Sequence, residues 1–127
     1  MTPTQWFALL LIGLPAGATA QGMNAETFYN RATKLTAKGP LALFARSEIK
    51  ALSAEGHAAG LRARDMRRAA VAAGRKPSFC PPTAKVEMRS DEYLKRLAAI
   101  PRAERSRIDM TGATTRIMAA KFPCPSR

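Results

Sequence analysis

Histidine is almost absent from this chain, and so are the motifs of the common catalytic sites. A hydrolytic triad needs a nucleophile held beside a base, but the only histidine is His57, in a stretch of glycine and alanine. The sequence has no glycine-rich phosphate loop and no dinucleotide-binding fingerprint. Its 9 acidic residues are scattered and mostly lie beside basic neighbours, which does not favour paired carboxylates for acid–base catalysis. We therefore expect a protein that is not an enzyme.

Cysteine is equally scarce. The chain contains two, in the contexts Phe79-Cys80-Pro81-Pro82 and Phe122-Pro123-Cys124-Pro125. Two cysteines and one distant histidine do not make a ligand set for a structural metal, so we expect no metal and no cofactor. In an exported chain, two cysteines favour one disulfide over two free thiols. A Cys80–Cys124 disulfide would close a loop of about 45 residues and stabilise the fold by at most about 4 kcal/mol.

Long apolar runs occur only at the amino terminus. Residues 6–14 are apolar, and Ala18-Thr19-Ala20 follows as a small-x-small cleavage signal. The run is shorter than the roughly 20 residues that span a bilayer. This favours a cleaved signal peptide over an uncleaved membrane anchor, although no lysine or arginine precedes the run. We predict a signal peptide at 1–20 that is cut after Ala20, a single domain at 21–127, and a periplasmic or secreted protein.

Acidic residues are outnumbered by lysine and arginine, 9 to 21, and the formal net charge of +12 lies wholly within 21–127. Such a charge attracts polyanions. For an exported protein these are phospholipid headgroups, lipopolysaccharide, anionic wall polymers and acidic proteins. Nucleic acid is not expected as a partner, because of the compartment and because no aromatic residues are interleaved with the basic ones to stack on bases.

Strand-like alternation is absent as well, and the first half of the chain has a helical period. Asn24 is a candidate N-cap for a helix at 24–38, which Gly39-Pro40 ends. A short apolar connector at 41–44 follows. Ser47 then has the residue type and position to cap a long second helix.

That second helix has a seam of small and apolar residues. The seam steps by three and four along Ile49, Leu52, Gly56, Ala59, Ala63, Met66, Ala70 and Ala73. Gly74 is placed to end the helix. Gly56 and Gly60 each cost about 1 kcal/mol relative to alanine inside a helix. They predict either a closely packed neighbour or a kink or break in the helix.

Proline excludes helix from the next segment, 76–86. Ser90 is a candidate N-cap for a third helix, which Pro101 ends. A last helix, straight or bent near 109–112, is predicted over 102–121. The fold class is therefore all-α, a small bundle of four to five helices closed by one disulfide.

The strongest cluster of like charge lies in the second half of the long helix and just beyond it. Only Asp65 opposes it in the sequence. As an outward-facing surface it would bind an anionic partner, and the alternative is a solvated face without a function. Its members are Arg62, Arg64, Arg67, Arg68, Arg75 and Lys76.

The carboxyl-terminal third resembles the Rap/Tai domain of exported amidase-immunity proteins associated with type VI secretion. The likeness rests on the two proline-flanked cysteines, on Tyr93-Leu94 and Ile100-Pro101, and on the alanine-containing amphipathic helix before Cys124. It covers residues 77–125 well. The family pattern usually has two further cysteines in its first half, and this chain has none there.

The resemblance implies a small helical periplasmic domain that binds a protein rather than a substrate. In the immunity branch that protein is a cell-wall amidase effector, whose active-site cleft the domain blocks, often as a homodimer. A protein-binding role of this kind is our first hypothesis for the chain. A basic module that binds the anionic cell envelope through the Arg62–Lys76 cluster is the alternative.

Overall fold

The computed structural model describes residues 22–126, and within that range the chain forms five α-helices and one 3₁₀ helix without a β-strand. The all-α fold closed by one disulfide is confirmed. The predicted signal peptide at 1–20 lies outside the described residues. The elements are α1 Ala25–Ala37, the 3₁₀ segment Gly39–Phe44, α2 Arg46–Ala72, α3 Ser90–Ala99, α4 Arg102–Arg105 and α5 Met110–Lys121.

The first helix begins where its cap predicts. The side-chain oxygen of Asn24 accepts hydrogen bonds from the backbone N–H groups of Glu26 and Thr27, at 3.0 and 3.1 Å. These bonds satisfy two of the donors that a helix start leaves open. The helix ends before Gly39, whose φ of +55° turns the chain into the 3₁₀ segment.

The second helix starts two residues earlier than a Ser47 cap predicts. Helix α2 begins at Arg46, and its N-cap residue Ala45 makes no side-chain capping bond. The preceding 3₁₀ segment supplies the start instead, because the N–H of Ala45 already binds the carbonyl of Ala42 at 2.9 Å. The N–H of Ile49 then binds the carbonyl of Ala45 at 3.0 Å, so one helical turn leads into the next.

The end of α2 is the predicted glycine stop. Gly74 has φ +69°. Its N–H binds the carbonyl of Val71 at 3.0 Å, and the N–H of Arg75 binds the carbonyl of Ala70 at 2.8 Å. This pair of bonds is the Schellman arrangement, which needs a left-handed residue after the helix. The backbone at Arg75 is therefore fixed to the last turn of α2.

The seam of α2 is buried only in part. Leu52, Ala59 and Ala63 are buried, whereas Met66 is 61% exposed. The expectation of a closely packed neighbour at Gly56 and Gly60 is wrong, because no atom of a described neighbour lies within 4 Å of where a Cβ would be. The expectation of a break is also wrong, since α2 is continuous. Leu52 and Ala59, on either side of Gly56 in the sequence, belong to the core cluster.

The predicted helix over 102–121 is two helices. A short α4 is followed by an irregular link, and Asp109 caps α5 by accepting a bond from the N–H of Gly112 at 2.8 Å. The interruption between α4 and α5 is stabilised because the amino-terminal segment forms hydrogen bonds with the backbone groups that a continuous helix would have paired. The carbonyl of Met23 accepts from Met110 N–H at 2.7 Å, and the N–H of Ala25 binds the carbonyl of Ile108 at 2.9 Å.

The third helix begins at its predicted cap residue rather than after it. Ser90 is the first residue of α3, and the N-cap position is held by Arg89, whose side chain makes no capping bond. Leu97 and Ile100 are buried, and Tyr93 packs edge-to-face on Phe28 with ring centroids 6.4 Å apart.

The disulfide joins the two proline-flanked segments as predicted. Cys80 and Cys124 are 44 positions apart in sequence and their Cα atoms are 4.8 Å apart. Beside the bridge, the N–H of Cys80 binds the carbonyl of Phe122 at 2.8 Å. The covalent bond therefore holds the loop after α2 against the end of α5. Among the described helices none is long and apolar enough to cross a bilayer.

Candidate binding surfaces

The structure divides the six cations of the predicted anionic-partner surface into two groups. Arg62 does not face outward: its Nε donates to Thr111 Oγ1 at 2.7 Å and its Nη2 pairs with Glu55 Oε1 at 3.1 Å. The same Glu55 oxygen accepts the N–H of Met23 at 2.8 Å. Arg62 thus holds α2, α5 and the amino-terminal segment together, and its outward placement in the sequence prediction is wrong.

Arg67 is also held by the fold. Its Nε donates to the carbonyl oxygen of Phe79 at 2.8 Å, and its guanidinium carbon lies 5.9 Å from the centroid of that ring. Phe79 is buried, 3% exposed, next to the disulfide. The guanidinium is therefore fixed in position while its Nη groups make no hydrogen bond to a described residue.

Four cations of the predicted surface remain exposed: Arg64, Arg68, Arg75 and Lys76. None of them lies within salt-bridge distance of a carboxylate of residues 22–126. Asp65 is exposed as well and does not pair with them. A net positive surface therefore exists at the end of α2, smaller than the sequence predicts, and its binding role stays a prediction.

A recess of about 320 Å³ lies beside this surface, between the end of α2, the following loop and α5. Its apolar lining comes from Ala63, Met66, Ala69, Ala70 and Phe79. The remaining lining is polar or charged and comes from Arg67, Arg75, Lys76, Ser78 and Thr115. The sequence offered no sign of this recess, because its walls come from three separate stretches of the chain.

A larger groove, of about 450 Å³, lies between α1, α2 and α3. Its walls are mainly apolar and include Phe28, Leu35, Ile49 and Leu94. Tyr93 lines it too, with its hydroxyl 2.6 Å from Thr114 Oγ1. Burial raises the pKa of this hydroxyl above its ordinary value of 10.0, so Tyr93 presents a neutral ring to the groove at physiological pH.

His57 lies on the rim of this groove and is exposed. It makes no hydrogen bond to another described side chain. No set of three His, Cys, Asp or Glu side chains placed to share a metal ion occurs within residues 22–126. The expectation of a protein that is not an enzyme is not tested by this arrangement and stays a prediction.

The 3₁₀ segment, which connects two walls of the groove in the chain, exposes large apolar side chains. Leu41 is 65% exposed, Leu43 72% and Phe44 86%. The segment joins the end of α1 to the start of α2, and residues of both these ends line the groove. We call the groove and these three side chains together the apolar surface.

Exposed cations flank the apolar surface. They lie in the last turns of α1 and the first turns of α2, on either side of the 3₁₀ segment, and are Lys34, Lys38, Arg46 and Lys50. None is within salt-bridge distance of a described carboxylate, whereas the nearby Arg31 and Glu48 are paired at 2.6 Å. The apolar surface therefore has a positively charged rim.

Comparison of the chain with models of protein families, with curated protein sequences and with solved structures finds no match. The Rap/Tai resemblance therefore stays a prediction.

Proposed function

We propose that this protein is an exported, non-catalytic domain that binds another protein through the apolar surface, as an immunity protein binds a cell-wall amidase. The observation that carries the proposal is the exposure of Leu43 and Phe44, at 72% and 86%, in the segment that connects two walls of a mainly apolar groove. Contiguous apolar patches on small proteins mark interaction sites. An aromatic anchor beside a groove, inside a charged rim, has the composition of a protein–protein interface.

The charge of the rim specifies the partner. The four flanking cations repel a basic partner and attract one whose binding cleft is bordered by carboxylates. A peptidoglycan amidase with an acidic rim around its active-site cleft satisfies this condition. Blocking such a cleft requires no catalytic group on the inhibitor, in agreement with the role that the sequence resemblance implies.

The test uses protein expressed from the full-length sequence in a bacterial host and purified with its disulfide formed. Intact mass and amino-terminal sequencing first establish whether the chain is cut after Ala20. Binding to a panel of purified secreted peptidoglycan amidases is then measured by calorimetry, together with hydrolysis of peptidoglycan. We expect one amidase to be bound stoichiometrically and inhibited.

Phe44→Ser is the diagnostic variant, because the side chain is almost fully exposed and its loss does not disturb the core. Removing a central aromatic anchor weakens an interface by at least about 2 kcal/mol, or roughly 30-fold. Val71→Ser is the matched control, since Val71 is 52% exposed on α2 outside the apolar surface. Equal effects of the two variants, or no complex with any amidase, would refute the proposal.

A second copy of the chain is the competing occupant of the apolar surface. Sedimentation of the protein alone identifies it: a dimer that Phe44→Ser converts to monomer would assign this surface to self-association. An amidase would then have to bind elsewhere on the dimer, and the proposal as stated would fail.

The alternative function is binding to the anionic cell envelope. It is favoured by one observation, the four exposed cations Arg64, Arg68, Arg75 and Lys76 at the end of α2, which pair with no described carboxylate. Adsorption to phosphatidylglycerol vesicles should fall as salt rises, because exposed charges are screened within about 8 Å at physiological ionic strength. Replacing all four with glutamine should abolish it, and unchanged adsorption would exclude this function.

A further inference from the structure

The recess at the end of α2 combines two kinds of wall. Its apolar lining is formed by Met66, by Ala63, Ala69 and Ala70, and by the buried Phe79. The side chain of Met66 is 61% exposed although it borders a cavity. A flexible, polarisable side chain in this position adapts to an apolar guest.

The other part of the lining is cationic and held in place. The guanidinium of Arg67 is fixed by the Phe79 carbonyl and ring, and its Nη groups are left for other acceptors. Arg75 follows a backbone that the Schellman bonds fix, and Lys76 comes directly after it. The disulfide at Cys80 anchors the far end of the same loop.

The neutral polar groups of the recess are distributed unequally. Thr115 donates its hydroxyl to the carbonyl of Thr111 at 2.9 Å, so its proton is committed within α5. Ser78 makes no hydrogen bond to another described residue and has a free hydroxyl donor. The carbonyls of Ala69, Ala70 and Val71 accept backbone N–H groups, so the polar side-chain groups of the lining that remain open to a ligand are three cations and one hydroxyl.

We propose that this recess binds an anionic amphiphile, namely a glycerophospholipid with a net negative headgroup. Its phosphate would be bound by Arg67, Arg75 and Lys76 with the Ser78 hydroxyl, and the start of its acyl chain would lie on Met66 and the alanines. The inference rests on the envelope-binding alternative and deepens it by naming one site and one ligand class.

Both halves of the ligand are required by the lining. A bare inorganic anion would leave the apolar wall and the exposed Met66 in water. A neutral apolar ligand would cover three cations without giving them an acceptor, and burying a charge without a partner is costly. A phosphate joined to an acyl chain satisfies both walls at once, with charge-assisted hydrogen bonds to the arginines.

The experiment is a chemical-shift titration of the full-chain protein, isotopically labelled and oxidised, in salt of about 0.15 M so that long-range attraction is screened. The probes are dihexanoylphosphatidylglycerol below its micelle concentration, the matched phosphatidylcholine, and inorganic phosphate. We expect the phosphatidylglycerol to bind more tightly than either of the others. The amides that shift should be those of residues 69–79 and of Thr115.

A pair of double variants tests the site against a general charge effect. Arg75→Gln with Lys76→Gln removes two cations of the recess, and we expect affinity to fall by at least about tenfold, since bonds to charged groups are worth that much or more. Arg64→Gln with Arg68→Gln removes the same charge from α2, outside the recess, and we expect a change within about twofold at this salt.

Met66→Gln tests the apolar wall separately. We expect this variant to lower the affinity for phosphatidylglycerol several-fold and to leave the weak binding of inorganic phosphate unchanged. All four cations in the double variants are exposed and none is salt-bridged to a described residue, so folding should survive, and circular dichroism checks this.

The outcomes separate the site from the function on which it rests. Equal losses of affinity in the two double variants, or equally tight binding of phosphatidylcholine, would refute the lipid site in the recess. Binding to the envelope through the whole positive surface would remain possible. No binding of phosphatidylglycerol as monomer, together with no adsorption to its vesicles, would overturn both.

Discussion

At the scale of single residues, the charges of this protein have two separate uses. Some arginines pair inside the fold and others remain on the surface, although the sequence presents them alike. Arg105 is the clearest internal example, since it is only 7% exposed. Its Nε donates to Glu26 Oε2 at 2.6 Å, and its Nη1 donates to carbonyls at the end of α3, including that of Ile100. Its guanidinium carbon lies 4.0 Å from the ring centroid of Tyr29.

Replacing this side chain should destabilise the protein strongly. Arg105→Ala leaves the Glu26 carboxylate, 13% exposed, without its closest partner, and breaking a buried ion pair costs about 3–5 kcal/mol. We expect a loss near the lower end of that range, because Arg102 also lies 3.5 Å from Glu26. Urea unfolding of the wild-type protein and of Arg105→Ala measures this loss of stability. Arg107→Ala, at an exposed position, should change stability by less than about 0.5 kcal/mol, and an equally small effect of Arg105→Ala would contradict this account.

The ion pairs of Glu92 make the stability of the fold depend on pH. Lys121 and then Arg96 hold the pKa of this carboxyl below its ordinary value of 4.5, through bonds of 2.8 and 3.0 Å. A carboxyl whose pKa is lower in the folded state stabilises the fold above its unfolded pKa, and this contribution is lost as pH falls through the folded pKa. Glu92→Gln should therefore reduce stability at neutral pH but have less effect near about pH 3.

The urea midpoints of the wild-type protein and of Glu92→Gln, measured between about pH 3 and pH 6, check this prediction. The gap between them should narrow as the solution becomes more acidic. Asp65→Asn is the control, since Asp65 is exposed and forms no salt bridge among the described residues. A gap that is constant or widens toward acid would show that Glu92 acts by packing rather than by charge.

At the scale of elements, the long helix α2 shows how one residue type acts in opposite ways. Gly60 lies inside the helix, and no atom of a described neighbour is within 4 Å of where its Cβ would lie, whereas Gly74 has φ +69°. Alanine at position 60 removes backbone entropy without a clash, and we expect a gain of about 0.5–1 kcal/mol. Alanine at position 74 must adopt a left-handed conformation, and we expect a loss of about 1–2 kcal/mol.

Thermal and urea unfolding of Gly60→Ala and Gly74→Ala measure the predicted gain and the predicted loss of stability. Each variant serves as the control for the other, since both make the same chemical change in or beside α2. The same sign for both would mean that the local geometry of the helix does not control these positions.

At the scale of the whole molecule, the disulfide joins the loop after α2 to the end of α5. Replacing Cys80 and Cys124 together with alanine should lower the free energy of unfolding by at most about 4 kcal/mol, because the open chain regains the entropy of a 44-residue separation. The oxidised and reduced wild-type proteins provide the comparison. A double variant as stable as the oxidised protein would show that the disulfide does not contribute to the free energy of unfolding.

The interruption between α4 and α5 shows where prediction from sequence fails. Residues 102–121 have helical periodicity throughout, but Met110 N–H binds Met23, almost the whole domain away in the chain. Likewise, the Glu26 in the first turn of α1 is also the acceptor for Arg105, 79 positions later. Local propensity contains no information about such partners, so the start of α1 could be predicted and the ion pair could not.

The sequence by itself determined the helical class, the disulfide residues, the glycine and proline ends of the helices and the excess of positive charge, because each depends on residue type or on neighbours a few positions away. Only the tertiary structure decided which charges are exposed. Arg62 is turned inward by Thr111, 49 positions away, while Arg64 stays in solvent. The recess beside α2 and the groove beside the 3₁₀ segment exist for the same reason, since packing brings together walls that are distant in the chain.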